Sequence, residues 1–497
     1  MKVLIANRGE IAIRIIRACQ ELNIPSVAVF SEGDSKALHT RYADEALPIG
    51  PTPAAESYLK IDALLQAAAE SGAEAVHPGY GFLSENPEFG RAVEEAGLRF
   101  IGPRPETMAV LGDKLSARKA AREAGLPVLP GMDVPLADNL TLENLDRELN
   151  YPLLVKAASG GGGRGIRLAR SPEELIDVVD SAREEARAAF GDPTIYLEPL
   201  VQKARHIEVQ ILGDGRGKVL TFGERECSIQ RRHQKLIEEA PAPDLTPQER
   251  EFISSAAKRL GESLDYRSLG TVEFLKDEHG CFHFIEVNPR IQVEHPVTEN
   301  ITGIDLVQEQ IKLVLRGELK LEQEQIRFQG AAVEARILAE DPAANFMPTS
   351  GQVSYLKEPG GPGIRVDSAL FQGMCVSVDY DSLLAKLIAW GPTRSDAIHR
   401  LKRGLLEFQI GGLKTDIGFL RQVIDTHPYR LAEIDTSFLD QLELPEDSLG
   451  ETASRDAALA AALHIHRRRQ NGSDRMSARD CSPWRMQARR EQVNGRS

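Results

Sequence analysis

Between Phe284 and Glu299 the chain reads FIEVNPRIQVEHPVTE, which sets oxygen donors beside a guanidinium and a further carboxylate. Alternate side chains of an extended segment share a face. Glu286 and Asn288 therefore point one way, and Arg290, Gln292 and Glu294 join them if the chain stays extended past Pro289. Proline donates no ladder hydrogen bond and sits best at an edge or bend. The intervening Ile285, Val287, Ile291 and Val293 are apolar, so the charged row borders a core. That chemistry suits a metal-nucleotide site beside a small-anion site; the competing reading is an exposed amphipathic strand with solvated charges.

A phosphate cradle would decide between them. Lys156 ends a strand-like stretch and is followed by the glycine run 160–165, interrupted only by Arg164. Such glycines let backbone N–H groups wrap a phosphate chain, and a lysine at the strand end adds a point charge. The order is not GxxxxGK[ST], because the lysine comes first. Glu273 lies within TVEFL, with Val272 and Phe274 on the opposite face. With Glu286 and Asn288 it offers a hard-oxygen set for Mg²⁺, which takes one or two carboxylates and completes its shell with phosphates and water. The run ERECSIQRRHQKLIEE at 224–239 is expected to be mostly a solvated helix or loop face. His77, ahead of PGYGF, reads as a structural residue at a turn beside a cleft.

The elements that must position these groups follow from periodicity. Residues 3–6 read as a buried strand and 9–22 as a helix with Ile11, Ile15, Ala18 and Leu22 on one stripe. Strands at 26–30 and 75–77 flank a helical stretch at 56–69, so the first segment, 1–112, is expected to be a parallel α/β domain. A second segment, 113–330, has strands at 151–157, 195–198, 206–212, 217–222, 271–275 and 281–287, with a helix at 172–190. Residues 331–441 read as a smaller mixed α/β domain, and 442–497 as a polar tail with an alanine-rich helix near 456–466. The fold class is thus α/β combined with α+β.

A chain of 497 residues has room for several cores. Its net charge of −14 argues against a general nucleic-acid binder and requires local cations for any anionic substrate. The five cysteines are scattered without a CxxC pair, and no apolar run reaches membrane-spanning length. A reducing cytoplasm, no membrane and no nucleic acid are the expectations.

Taken together, ANRGEIA at 6–12, HPGYGFLSEN at 77–86, GDK at 112–114, KAASGGGGRGIR at 156–167, RHIEVQ at 205–210, the 224–243 stretch, RIQVEHPVTE at 290–299 and EARILAEDP at 334–342 resemble the biotin carboxylase component of biotin-dependent carboxylases, within the ATP-grasp superfamily. The resemblance covers residues 1–441. It implies an ATP-grasp region with a glycine-rich lid at roughly 132–203. It implies that Lys114, Lys156, Gly161, Gly162, Gly163, Glu198, His206, Gln230, His233, Glu273 and Glu286 bind ATP, and that Glu273, Glu286 and Asn288 hold Mg²⁺ or Mn²⁺. Lys235, Arg290, Gln292, Val293 and Glu294 would hold bicarbonate, with Glu294 as base, and Arg336 would stabilise the biotin enolate. Lys235, Arg290, Glu294 and Arg336 are the implied catalytic set. No EAMKM-like segment occurs, so biotin would arrive on a separate carrier protein, with a carboxyltransferase as further partner and a homodimer as the assembly. One departure is Pro199, where the family has a lysine after the glutamate. The alternatives are other ATP-grasp ligases, of the carbamoyl-phosphate or purine-pathway type, or a non-catalytic nucleotide-binding subunit.

Overall fold

The computed structural model describes residues 1–129, 151–158 and 166–442, with Leu459, Ala462 and Leu463 besides. The chain divides into a unit Met1–Leu442 and a second unit Glu443–Ser497. In the second, the three described residues are helical and fall within the stretch expected to be a helix.

β1 (Val3–Ile5), β2 (Ser26–Ser31), β3 (Glu45–Gly50), β4 (Ala75–His77) and β5 (Arg99–Phe100) form a parallel sheet in the order β3-β2-β1-β4-β5. β1 is apolar at every position because both its faces are covered. Val3 and Ile5 pack with Ile11 and Ile15 of the helix Gly9–Glu21, while Leu4 packs with Leu64 and Val76 on the other side. Asn7 then donates to the carbonyls of Pro78 and Tyr80, both at 2.7 Å, and so ties the turn after β1 to the turn after β4. The helix expected at 56–69 starts later, at Ile61–Ser71. Tyr58 turns inward to donate to Asp34 at 2.7 Å and is fully buried, which breaks the helical course before Ile61.

β6 (Leu153–Ala157), β7 (Ile166–Ala169) and β8 (Ile195–Pro199) make a separate antiparallel sheet, β7-β6-β8. The helix Pro172–Phe190 covers it with Leu175, Val179, Ala182 and Ala186. Pro199 closes β8 on the edge of this sheet, a place where its missing N–H is tolerated.

The largest sheet is antiparallel and contains β9 (Arg205–Asp214), β10 (Val219–Arg231), β11 (Gln234–Ala240), β12 (Arg267–Lys276), β13 (Phe282–Asn288) and β14 (Ala331–Leu338). Its order is β13-β12-β9-β10-β11-β14, continued by the strands Leu383–Gly391 and Ile364–Ser368. The sheet therefore takes strands from both sides of residue 330, with β14 pairing β11. One face is apolar: Ile207, Val209 and Ile211 of β9 join Val272, Phe274 and Phe284 against Ile253, Ala257 and Leu260 of the helix Pro247–Ser263. The alternate residues, His206, Glu208 and Gln210 with Thr271 and Glu273, face the other way and are nonetheless buried.

One sequence reading changes here, and another is decided. The charged run at 224–239 is not a solvated helix or loop: β10 continues to Arg231, turns at Arg232 and His233, and returns as β11. Both turn residues have positive φ, +49° and +64°, as a two-residue hairpin connection requires. Glu224 to Ser228 are buried, so their charges are paired inside the sheet instead of hydrated. Of the two courses left open at Pro289, the bend is the one taken. β13 ends at Asn288, the Arg290 N–H folds back to the Asn288 carbonyl at 2.9 Å, and Glu294 sits at the N-cap of the helix His295–Thr302. Proline ends the ladder, and the anion-binding candidates lie on a turn rather than on one strand face.

Candidate active site

β12 and β13 set Glu273 directly opposite Glu286 and Thr271 opposite Asn288. One oxygen of Glu273 accepts from Asn288 Nδ2 at 2.7 Å, Gln292 Nε2 at 2.8 Å and Lys235 Nζ at 2.9 Å, while the other lies 2.9 Å from His206 Nε2. Burial opposes its ionisation, but Lys235 and His206 hold the carboxyl well below the usual range. Glu286 has less help. Burial raises it, and its cation, Lys114, stands off at 3.9 Å.

Lys235 is the hub. Its ammonium reaches Glu208 at 2.5 Å, Glu294 at 2.8 Å and Glu273 at 2.9 Å, and these three anions raise it well above its ordinary value against the effect of burial. Glu294 spends its second oxygen on Arg336 Nη2 at 2.9 Å. Against burial, Lys235 and Arg336 keep Glu294 ionised far below the usual carboxylate range. Arg336 is anchored in turn by Glu238, whose Oε1 accepts from Nε at 2.6 Å. Arg290 turns its Nε to Glu85 at 2.5 Å and its Nη2 to Asn288 Oδ1 at 3.0 Å. Its guanidinium thus stands over the same turn without a bond to Glu294. The Val293 carbonyl accepts from the fully buried Lys386 at 2.9 Å, and Lys386 also lies 3.2 Å from Glu10.

At the small antiparallel sheet, Lys156 and Arg118 both bind Glu198 in short ion pairs, which hold that carboxylate down despite burial. The implied adenosine contact of Glu198 therefore competes with two cations in this state. His206 lies beside Glu273, His233 at the exposed hairpin tip, and Gln230 opposite Lys235 across the hairpin. Gly161, Gly162 and Gly163 lie outside the described residues. A cavity of about 470 Å³ opens at the tip of the β10–β11 hairpin, lined among others by Arg231, Gln234, Glu340, Phe346, Tyr380 and Asp381.

Sequence reasoning misses Glu208, Arg225, Glu85, Glu238 and Lys386. Arg225 is fully buried and binds Glu208, Gln210, Thr271, Gln292 and Thr298, so it fixes the floor on which Lys235 and Gln292 stand. The alternation in RHIEVQ, with apolar Ile207 and Val209 on one face, is the available signal for Glu208. Nothing local marks Lys386, which lies far along the chain in an apolar strand.

The residues present fit a divalent cation. Glu273 and Glu286 face one another with the Asn288 amide oxygen near, all hard donors, and the half-buried Glu286 lacks a close cation among the described residues. A parallel α/β domain followed by a small antiparallel sheet and a large one, with lysines and carboxylates gathered between them, defines the ATP-grasp class. The description "Carbamoyl-phosphate synthase L chain, ATP binding domain" matches residues 113–322, flanked by "Biotin carboxylase, N-terminal domain" at 1–108 and "Biotin carboxylase C-terminal domain" at 334–441. The chain belongs to the biotin carboxylase family. It is 49% identical over 438 residues to the biotin carboxylase of Halalkalibacterium halodurans, covering 88% of this chain and 97% of that protein. It is 46% identical over 441 residues to the biotin carboxylase of a Nostoc species, covering 89% and 99%. Among solved structures, the biotin carboxylase domain dimer of Hydrogenobacter thermophilus 2-oxoglutarate carboxylase, in complex with MgADP, ADP and bicarbonate, superposes with a TM-score of 0.86 at 46% identity, covering 88% of this chain and 97% of that one. No described helix is long and apolar enough to cross a membrane.

Proposed function

We propose that the chain carboxylates biotin held on a separate carrier protein, using MgATP and bicarbonate and releasing ADP and phosphate. The observation that carries this is the Glu294 carboxylate, gripped by Lys235 on one oxygen and Arg336 on the other, beside the Glu273–Glu286 pair. Bicarbonate is a weak nucleophile and needs a cationic clamp and a base. Arg290, Gln292, the Val293 backbone and Lys235 supply the clamp, and Glu294 is the base. Held far below the usual range, Glu294 is ionised but weakly basic. When anionic substrates draw Lys235 and Arg336 toward themselves, the carboxylate loses that stabilisation and its affinity for the bicarbonate proton rises.

Lys114 and Lys156 serve the phosphates, where they offset the negative charge that develops as the γ-phosphoryl moves to bicarbonate, while Glu198, His206 and His233 hold the adenosine part. Held by Glu273, Glu286 and Asn288, Mg²⁺ would add charge neutralisation on the phosphates. The glycine run 160–165 is the lid of this reading and would exclude water. Arg336, anchored by Glu238, meets the ureido oxygen of biotin as charge develops on it. Its partners are a biotin carrier protein and a carboxyltransferase that passes the carboxyl group to an acyl-CoA or pyruvate, and the working form is a homodimer.

The test is bicarbonate-dependent ADP release, stimulated by free biotin or a biotinylated carrier and abolished by Glu294→Gln. ATP cleavage stimulated by ammonia or an amine, and indifferent to biotin, would overturn the reading.

A further inference from the structure

Beneath Arg336 the large sheet buries one carboxyl more than its hydrogen bonds can serve. Glu334 lies opposite Glu238 in the β11–β14 pairing and opposite Ile388 on its other side. Directly opposed residues of an antiparallel pair bring their Cβ atoms to roughly 4.5–5.5 Å. Both oxygens of Glu334 are buried without a hydrogen-bond partner, and so is Oε2 of Glu238. Ile388, Ala332 and Ala240 pack with Val297 and Ile301 and surround this stretch with apolar side chains.

The charged groups around Glu334 are accounted for. Glu238 faces it from β11 and gives its Oε1 to Arg336. Arg336, two residues along β14, spends its other bond on Glu294 at the head of the helix His295–Thr302. Lys386, opposite Arg336 on the strand Leu383–Gly391, is engaged by Glu10 and the Val293 carbonyl, and His295 of the overlying helix bonds the Gln292 carbonyl. Lys235 is held by Glu208, Glu273 and Glu294. The helix Arg394–Glu407 packs on the opposite face, where Gly404 meets Leu387. Lys386 and Arg336 oppose the upward shift of Glu334 through space, but among the described residues no cation gives it a hydrogen bond. An ionised carboxylate buried this way is prohibitively costly, while a protonated one is a donor, and the orphaned Oε2 of Glu238 faces it.

We propose that Glu334 is a positioning residue that holds a proton against Glu238 across β11 and β14, so that Arg336 is anchored by one carboxylate yet keeps net positive charge for the ureido oxygen of biotin. This rests on the function proposed above. With both carboxyls ionised, Glu238, Glu334 and Glu294 would surround one guanidinium and cancel the charge it needs. Burial moves both groups in the required direction: Glu334 stands well above the ordinary range, and Glu238 is pushed up to about 7 with Glu294 adding to the shift and Arg336 opposing it. Such a pair titrates as a unit. As pH rises and the proton leaves, the biotin-dependent step falls while bicarbonate-dependent ATP cleavage, which does not need Arg336 as an oxyanion partner, falls less.

Infrared difference spectroscopy on the full chain tests the proton directly. At neutral pH a buried carboxylic-acid C=O band is expected, and it should be lost in Glu334→Gln. Absence of a band assignable to Glu334 overturns the proposal. The role is tested by the pH profile. Relative to the rate at neutral pH, the alkaline limb of biotin-dependent turnover should move upward by a pH unit or more in Glu334→Gln. In Glu238→Gln, which leaves Glu334 as the one carboxyl of the pair, the doubly ionised state cannot form and the limb should likewise move upward or vanish. An alkaline limb unmoved in both variants overturns the positioning role. If the wild-type chain shows no biotin-dependent turnover at all, the functional reading and the role of Arg336 fall together, whereas the band alone still decides whether Glu334 carries a proton.

Discussion

Lys235 and Glu294 are joined by a 2.8 Å hydrogen bond, and the same ammonium holds Glu208 at 2.5 Å and Glu273 at 2.9 Å. One cation thus links the base candidate to Glu273, one of the proposed metal ligands. Substrate anions and a metal ion would compete for these partners, so loading one half of the site releases charge in the other. That linkage is a physical basis for ordered, mutually dependent binding.

Removing this cation should cost both stability and activity. Lys235→Met leaves Glu208, Glu273 and Glu294 facing one another in a buried site. Breaking a buried ion pair on one side typically costs about 3–5 kcal/mol. A lower thermal midpoint is expected, together with a drop of about 100-fold or more in bicarbonate-dependent ADP release. An unchanged midpoint would show that the three carboxylates do not depend on Lys235.

Arg336→Ala should separate the two halves of the reaction. Biotin carboxylation is expected to fall by about 100–1,000-fold, the range for losing one preorganised oxyanion partner. Bicarbonate-dependent ATP cleavage should persist within about tenfold, because Glu294 keeps Lys235. Equal loss of both activities would argue against the assignment of Arg336.

Glu85 offers a subtler probe. It holds Arg290 Nε at 2.5 Å, and among the described residues it bonds no other site group. Glu85→Gln should raise the KM for bicarbonate by about 3–10-fold, equivalent to about 0.7–1.4 kcal/mol of lost positioning, with little change in kcat. A fall in kcat with KM unchanged would place Arg290 in the chemical step instead.

Acid should unfold the protein through the site itself. Glu273, Glu294 and Glu299 are held below the usual glutamate value of 4.5, and Asp367 below 3.8. Groups depressed on folding contribute stability that is present above the unfolded value and lost as pH falls below it toward the folded one. Thermal midpoints should hold down to about pH 5 and then drop steeply. Glu238 acts with the opposite sign: its folded value near 7 means that its contribution is complete below 4.5 and is lost as pH rises through 7. A slow decline on the alkaline side is the expected mark of Glu238 and Glu334.

Much of this site was legible because strands carry their chemistry with a period of two. Glu273 between Val272 and Phe274, and Glu286 beside Val287, could be assigned to one polar face, and β12 and β13 do set them opposite one another. The first sheet was equally plain, since a strand covered on both sides is apolar throughout, as β1 is. The charged run at 224–239 misled for the same local reason. Its side chains look hydrated until the sheet supplies partners, such as Glu208 and Gln210 for Arg225.

The sequence by itself determined the donor types, their face along each strand and the break at Pro289, because these depend on neighbouring residues and backbone geometry. Only the tertiary structure decided which charges meet. Lys386 reaches the Val293 carbonyl across 93 residues, Arg336 reaches Glu238 across 98, and Glu85 reaches Arg290 across 205. Buried ion pairs need a desolvated setting and close approach. Both arise when distant strands register in one sheet, which no local pattern encodes.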